Sequence, residues 1–467
     1  MKKLPGIIFI CIIFISSAFC QDAKYPFPQK IKYLYGNLPT KRDTLTGHLK
    51  KWYANWKNKY LQECNGNLRP GVDPLSKSLV EAQGFSMIAV AYMADKAVFD
   101  KLYGYYKSKI TTQGCGLMGW KHTCGGFEDQ GSATDGDVDV ACALTVAHWQ
   151  WPDSGYDVKL KAILTSLDSL IDSCGDVFAL HPGCAGGKPW GGCDETDISY
   201  YEPAFFRYFA KISGNPRWAK LADDTHIIRD AAANKTTGLV PDWQSTSGRA
   251  GANGRKGYFS QDAIRAPYKQ SLDFLWNGNE KVQAWAKKIS SWGYGIGISN
   301  IKDGHNLDGS ANGGYHNMAV TGSIAVAAMA NEQKILDAYV DDCLRLKDES
   351  WYNGYLGNLY LLALSGNMWN PDILNPSGTV KPDHKNQLSK TVPQIRLADG
   401  KVLLISGLDV GTIISLHAMN GQMIARGRVT QSDMATLNVK NLNRGCCLVR
   451  VNSSKGREII SRVVTLF

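Results

Sequence analysis

Apolar residues recur at helical spacing along most of this chain. Twelve windows carry the pattern: 44–62, 79–93, 96–109, 136–151, 157–173, 199–212, 215–233, 262–276, 280–291, 316–329, 332–346 and 353–365. No run between them alternates convincingly in strand fashion. Three of the segments, "MIAVAYMA" (87–94), "VDVACALTVA" (138–147) and "MAVTGSIAVAAMA" (318–330), are small and apolar nearly all round, which predicts helices buried on every side. Others, such as "LKKWYANWKNKYLQ" (49–62), are amphipathic. The mixture suggests six inner helices inside six outer ones, an all-α (α/α)6 barrel; a bundle or a solenoid would share the periodicity.

The pattern changes after Gly366. "NMWNPDILNPSGTVKPDHKNQLSKTVPQ" is rich in Pro, Asn and Lys and reads as a linker. Beyond it, "KVLLISG", "GTIISLHAMNGQMIARGRV", "MATLNVKNL" and "CCLVRVNSSKGREIISRVV" alternate as strands around turns at Asn420-Gly421 and Lys455-Gly456, predicting a small all-β module. At the other end, Lys2-Lys3, the apolar run Gly6–Ile15 and Ser16-Ser17-Ala18-Phe19-Cys20 read as a signal peptide. The run is about ten residues, against the roughly twenty of a membrane span. Bulky Phe19 argues against a lipid anchor on Cys20. The expected organisation is a leader at 1–20, a helical domain at 21–370, a linker at 371–394 and a β-sandwich-like module at 395–467, in a chain that is exported.

Composition sharpens this. Of twelve cysteines, Cys11 and Cys20 fall in the leader. Cys115/Cys124 and Cys184/Cys193 each flank a Gly-rich loop, the spacing of local disulfides in an oxidising compartment. There is no CxxC or HExxH, so no metal site and no cofactor are expected. The net charge is +10, or +8 without Lys2 and Lys3, but the basic residues are dispersed, which speaks against a nucleic-acid partner. Thirteen Trp and 21 Tyr supply flat amphipathic rings of the kind that pack against pyranoses, although most must serve the core.

"GSATDGDVDVACALTVAHWQW" (131–151) sets Asp135, Asp137 and Asp139 at alternate positions before an apolar helix. An EF-hand would need Gly and Glu where Val140 and Val146 stand, so a calcium loop is excluded. Capping accounts for one or two first-turn acids. Three of them before so apolar a helix point to a cleft at one end of the barrel.

The run Ala133-Thr134-Asp135-Gly136-Asp137, with Ala141, Ala143, Leu144, Ala147 and Trp151, resembles the signature of glycoside hydrolase family 8, departing at Val140 and Thr145. "VEAQGFSMIAVAYMADKAVFDKLY" (80–103), "GLMGW" (116–120), "SYYEPAFFRYFA" (199–210), "GLVPDW" (238–243), "FSQDAIRAPYK" (259–269) and "GYLGNLYLLALSGN" (354–367) agree in order, covering roughly residues 40–370. The resemblance implies an (α/α)6 barrel that cleaves β-1,4-linked polysaccharide with inversion. It puts the proton donor on Glu81, the general base on Asp262 with Arg265 beside it, and the sugar-binding third acid on Asp135. It also puts a stacking ring on Trp120 and Tyr200 beside the attacking water, with Tyr201 able to exchange roles with Tyr200. Gln261 stands where the family has an aromatic.

The chemistry asks for the same groups. Inversion needs a protonated carboxyl at the leaving oxygen and a carboxylate activating water on the opposite face. Glu81 at the head of an apolar helix would be held protonated by desolvation, and Arg265, one turn from Asp262, would keep that carboxylate ionised. Asp137 and Asp139 are left to capping and helix support, and Glu128, Asp129, Asp194 and Glu195 read as solvated loop acids. The expected enzyme is a monomeric endo-glucanase acting on cellulose or mixed-linkage β-glucan. Xylanase and then chitosanase are its rivals, and a non-catalytic carbohydrate-binding protein is the reading from another class. The C-terminal module resembles the sorting domains of type IX-secreted proteins, implying the secretion machinery as a partner. With neither Trp nor Tyr after Trp369, it is not expected to bind sugar.

Overall fold

The structure, a computed structural model, describes residues 23–374, 394–398, 402–406, 413–418, 422–429, 434–438, 445–452 and 458–466. The leader at 1–20 and most of the linker lie outside these residues. The described residues form twelve α-helices: α1 Arg42–Tyr60, α2 Val80–Tyr92, α3 Lys96–Ser108, α4 Thr134–Gln150, α5 Tyr156–Asp168, α6 Pro203–Ser213, α7 Arg217–Ala232, α8 Ala266–Asn277, α9 Glu280–Gly295, α10 Met318–Ala328, α11 Gln333–Cys343 and α12 Trp351–Leu364. Each expected window holds one of them.

The even-numbered helices form the inner layer. α2 packs on α4, and α6, α8, α10, α12 and α2 follow one another in contact, while the short turn Ile198–Tyr200 sits against both α4 and α8. Each odd-numbered helix packs on an inner neighbour. Burial follows this division: every residue of α10 is buried, whereas α3 buries one stripe of Phe99, Leu102, Tyr105 and Tyr106. None of the described helices is long and apolar enough to cross a membrane.

Close approach of α2 and α4 depends on two glycines. A Cβ on Gly84 would lie 2.5 Å from Asp139 Cβ and 2.8 Å from Gly136 O, and one on Gly136 would lie 2.4 Å from the Val80 carbonyl carbon. Only hydrogen fits at either position, so the first turns of the two helices, which carry Glu81 and Asp135, meet backbone to backbone.

Three expectations need correction. Short antiparallel hairpins do occur between the helices, such as Leu61–Cys64 with Asn67–Pro70 and Ile171–Cys174 with Val177–Leu180. They are two to four residues long, too short for alternation to be legible. The window 199–212 becomes helical only at Pro203, because a residue before proline is disfavoured in α conformation and Glu202 adopts φ −117°, ψ 68°. Among the described residues the disulfides are Cys64–Cys124, Cys115–Cys184 and Cys174–Cys193, so neither Cys115 with Cys124 nor Cys184 with Cys193 is joined. The first two fasten distant loops together and the third closes a short one, while Cys142 and Cys343 stay buried as thiols.

Chain contacts divide the protein into units at 1–377 and 378–467. In the second, Gln394–Ala398, Val402–Ser406 and Met434–Asn438 form one antiparallel sheet, and Met423–Arg428, Ile413–Ala418, Gly445–Asn452 and Glu458–Leu466 form another. Among its described side chains, Ile414, Leu416 and Val449 are buried on the second sheet.

Candidate active site

Arg265 is wholly buried and gathers the acids. Its Nη1 donates to Glu81 Oε2 at 2.9 Å and to Asp135 Oδ2 at 2.6 Å. Its Nη2 donates to Asp262 Oδ1 at 3.1 Å and to Ser199 Oγ at 2.9 Å, and Asp197 Oδ2 lies 3.9 Å away. Three of the six residues expected to form the site therefore meet at the fourth. They arrive from α2, α4 and the Ala263–Arg265 turn, segments far apart in the chain.

Glu81 is the one residue of α2 that is not buried, with 21% of its side chain exposed. Burial pushes its carboxyl up to about 8; Asp135 and Asp262 add to the rise, while Arg265 and Lys269 oppose it. Held neutral, Glu81 accepts from Arg265 on Oε2 and keeps a proton on Oε1.

Asp262 is more open, at 31%. Its Oδ2 accepts from Trp243 Nε1 at 3.1 Å, so its two oxygens are held by an indole and a guanidinium. The turn that presents it is anchored by Asp242, which accepts from the backbone N–H of Ser260 at 2.8 Å and of Ala263 at 2.9 Å and from the Ser260 hydroxyl. Burial, and then the charge of Asp262, push Asp242 up to about 6 and Asp197 well above the carboxylate range.

Asp135 is buried beneath the acids, and its Oδ1 has no donor within the described residues. Asp137 and Asp139 are not helix caps, contrary to expectation. Asp137 accepts from Tyr106 Oη at 2.7 Å and Met118 N at 3.1 Å, fastening the strand Leu117–Met118 beside α4, and burial pushes it up to about 7. Asp139 pairs with Lys269 at 2.7 Å. Both point into the protein, because a helix buried all round has no solvated first turn.

Trp120 follows that strand. Its carbonyl accepts from Val80 N at 3.0 Å, which ties it to the residue before Glu81, and the residue is 36% exposed. Tyr200 lies with its ring 5.5 Å from the Arg265 guanidinium and edge-on to Trp243. Tyr201 is in the core, where its hydroxyl meets Thr196 and accepts from Leu180 N, so it does not exchange roles with Tyr200. A cavity of about 310 Å³ opens from Glu81 and Asp262 along Gln261, Asp303, Asn317 and Trp351. Tyr352 of α12 lines it as well and donates to Gln261 O at 2.5 Å, bringing a ring to where Gln261 has none.

Asp197, Asp242, Trp243, Lys269, Glu202 and Tyr352 were not assigned from sequence. Asp242 and Trp243 lay within the "GLVPDW" segment, whose spacing alone gave no role. Glu195 is buried and paired with Arg255 rather than a solvated acid, whereas Glu128 pairs with Lys77 and Lys121 at the surface. Asp172, Cys174 and Cys193 come close enough to hold a metal ion, but both sulfurs are committed to a disulfide.

A buried guanidinium that bridges one neutral and one open carboxyl at the mouth of a cavity suits acid–base hydrolysis. Comparison with known proteins agrees. The model of glycosyl hydrolases family 8 matches residues 31–369. Endoglucanase 2 of Ruminiclostridium josui is 31% identical over 394 residues, 79% of this chain and 84% of that protein. Endoglucanase C of Ruminiclostridium cellulolyticum is 29% identical over 413 residues, 83% and 87% of the two chains. The apo structure of a β-1,3-1,4-glucanase from Paenibacillus sp. X4 superposes with a TM-score of 0.67 at 26% identity, covering 74% of this chain and 99% of that one. With its helical unit matched almost end to end, this chain belongs to glycosyl hydrolase family 8 and is a glycoside hydrolase.

Proposed function

We propose that the protein is an exported, monomeric, inverting endo-β-1,4-glucanase acting on cellulose or mixed-linkage β-glucan. Glu81 Oε1–H protonates the glycosidic oxygen as the bond to the anomeric carbon breaks. Asp262 takes a proton from a water that attacks this carbon from the opposite face, with Tyr200 beside that water. Asp135 binds the sugar at the point of cleavage, and Trp120 offers its exposed side to a neighbouring pyranose.

The observation that carries this reading is the Arg265 bridge. It limits the nearest oxygens of Glu81 and Asp262 to a guanidinium width and two hydrogen bonds, of the order of the roughly 6.5–9.5 Å at which an inverting pair seats its water. It also sits between a desolvated acid and a more exposed carboxyl group. The glucan preference is supported by the relatives named endoglucanases and by the β-1,3-1,4-glucanase structure.

Export is supported by the leader pattern and the three disulfides. We read residues 395–467 as a sorting module for the secretion machinery, from its likeness to such domains and its two antiparallel sheets.

The test is reducing-sugar release from carboxymethylcellulose, barley β-glucan, xylan and chitosan by the secreted protein and its Glu81→Gln variant. Activity on a glucan that collapses in the variant supports the reading. Equal activity in the two proteins overturns the role of Glu81, and preference for xylan or chitosan overturns the substrate.

A further inference from the structure

A second layer of charge lies one helical turn beneath the site. Asp135 and Asp139 are four residues apart on α4, and Arg265 and Lys269 are four apart where the Ala263–Arg265 turn runs into α8. The upper rung is Arg265–Asp135 at 2.6 Å, and the lower is Lys269 Nζ–Asp139 Oδ1 at 2.7 Å. Lys269 also meets Oε1 of Glu202, the residue before α6, at 3.2 Å. None of the three side chains of the lower rung is more than 1% exposed.

Three ions do not balance there. One ammonium faces two carboxylates, and Asp139 Oδ2 and Glu202 Oε2 are both buried without a donor. A net charge and two orphaned acceptors are costly in a dry interior. The carboxyls of Glu202 and Asp139 are within hydrogen-bonding reach of each other. A proton on Glu202 Oε2 donated to Asp139 Oδ2 satisfies both oxygens and leaves the rung neutral. The other titratable groups around Glu202 are Tyr92 on α2, Cys142 on α4 and Tyr268 on α8, and none of them is a cation. Burial acts in the same direction, pushing Glu202 up to about 8.

We propose that Lys269, Asp139 and a protonated Glu202 form a neutral buried rung that positions Glu81 and Asp135 for the reaction, with Lys269 as the positioning residue. The inference rests on the reading of Glu81 as the acid. Lys269 holds α8 against α4 directly behind Arg265. Asp139 Cβ fills the space where a side chain on Gly84 would stand, one turn from Glu81. The Lys269 charge also acts on Glu81, joining Arg265 in favouring its ionised form against Asp135 and Asp262.

The test is an Asp139→Asn/Lys269→Met double variant, which buries no ion pair and so keeps the fold. The expected result is a kcat lower by about 10²-fold with KM within about threefold, the signature of misplacement. The alkaline limb of kcat/KM should stay in place, because the variant removes one cation and one anion together from a neutral rung. Wild-type kcat, or a limb that moves, would overturn the proposal. Infrared difference spectra of Glu202→Gln against wild type at neutral pH provide a second readout that does not need the double variant to fold. Loss of a protonated-carboxyl C=O band supports the neutral rung, and an unchanged band overturns it. Wild-type activity in Glu81→Gln would instead overturn the acid assignment, leaving the infrared result to stand on its own.

Discussion

Glu81 and Arg265 meet at 2.9 Å, yet the carboxyl is pushed up to about 8. An arginine beside a carboxylate ordinarily favours the ionised form. Here burial, Asp135 and Asp262 outweigh it, so the guanidinium orients an acid without deprotonating it.

Under the proposed mechanism activity should therefore fall as pH rises through about 8, where Glu81 loses the proton assigned to the leaving oxygen. In Glu81→Gln that alkaline limb should vanish, and kcat should drop by about 10²–10⁴-fold with little change in KM. A kcat and kcat/KM pH profile of both proteins checks this.

Stability should follow the buried acids. Glu81, Asp137, Glu202 and Asp242 all hold protons more tightly in the folded protein, at about 8, 7, 8 and 6 against ordinary values of 4.5, 3.8, 4.5 and 3.8. Across that window the folded state binds more protons than the unfolded chain, so stability declines as pH rises from about 4 to 8. Asp273 is held low by His226 and Arg207, and its contribution is lost at more acid pH. Thermal melts at stepped pH should give a maximum on the mildly acidic side and a steady fall toward pH 8.

Trp243→Phe should lower kcat by about tenfold or more, since a hydrogen bond to a charged group is worth about 1.5–3 kcal/mol and the indole N–H on Asp262 Oδ2 is removed. The ring's packing is largely kept, so the melting temperature should move little. Steady-state kinetics beside a thermal melt separates the two effects.

Gly84→Ala tests the contact of α2 with α4. The new methyl would meet Asp139 Cβ at 2.5 Å and a backbone oxygen at 2.8 Å, and overpacking of this kind costs about 1–3 kcal/mol. We expect a lower denaturation midpoint together with a loss of kcat, because the helix that shifts carries Glu81. Chemical denaturation and kinetics on the same preparation check both.

Replacing Cys115 and Cys184 together by Ser should destabilise the fold by about 2–5 kcal/mol. It should also weaken catalysis, since Cys184 O accepts from Ser132 N just ahead of Asp135. Replacing Cys174 and Cys193, which close a short loop, should affect activity less.

The helices were legible in the sequence because burial imprints a period on a long segment. The all-apolar windows became α2, α4 and α10, and the amphipathic ones became outer helices such as α1 and α3. The hairpins were not legible, since two to four residues carry no period. Glu81, Asp135, Asp262 and Arg265 were found through segments that resemble the motifs of the family. The partners that hold them, Trp243, Asp242, Asp197 and Lys269, were not, because their roles arise between segments.

By itself, then, the sequence determined the succession of buried and half-buried helices, the strand-like character of the last seventy or so residues, and which acids head which segments. Only the tertiary structure decided their states. One guanidinium reaches Glu81, Asp135 and Asp262 from a position 130 to 184 residues along the chain from the first two. Two glycines let α2 and α4 close on each other, and the resulting desolvation leaves one carboxyl neutral while another stays open to water. Desolvation and Coulomb energies depend on distances through space, so no local pattern of residues encodes them.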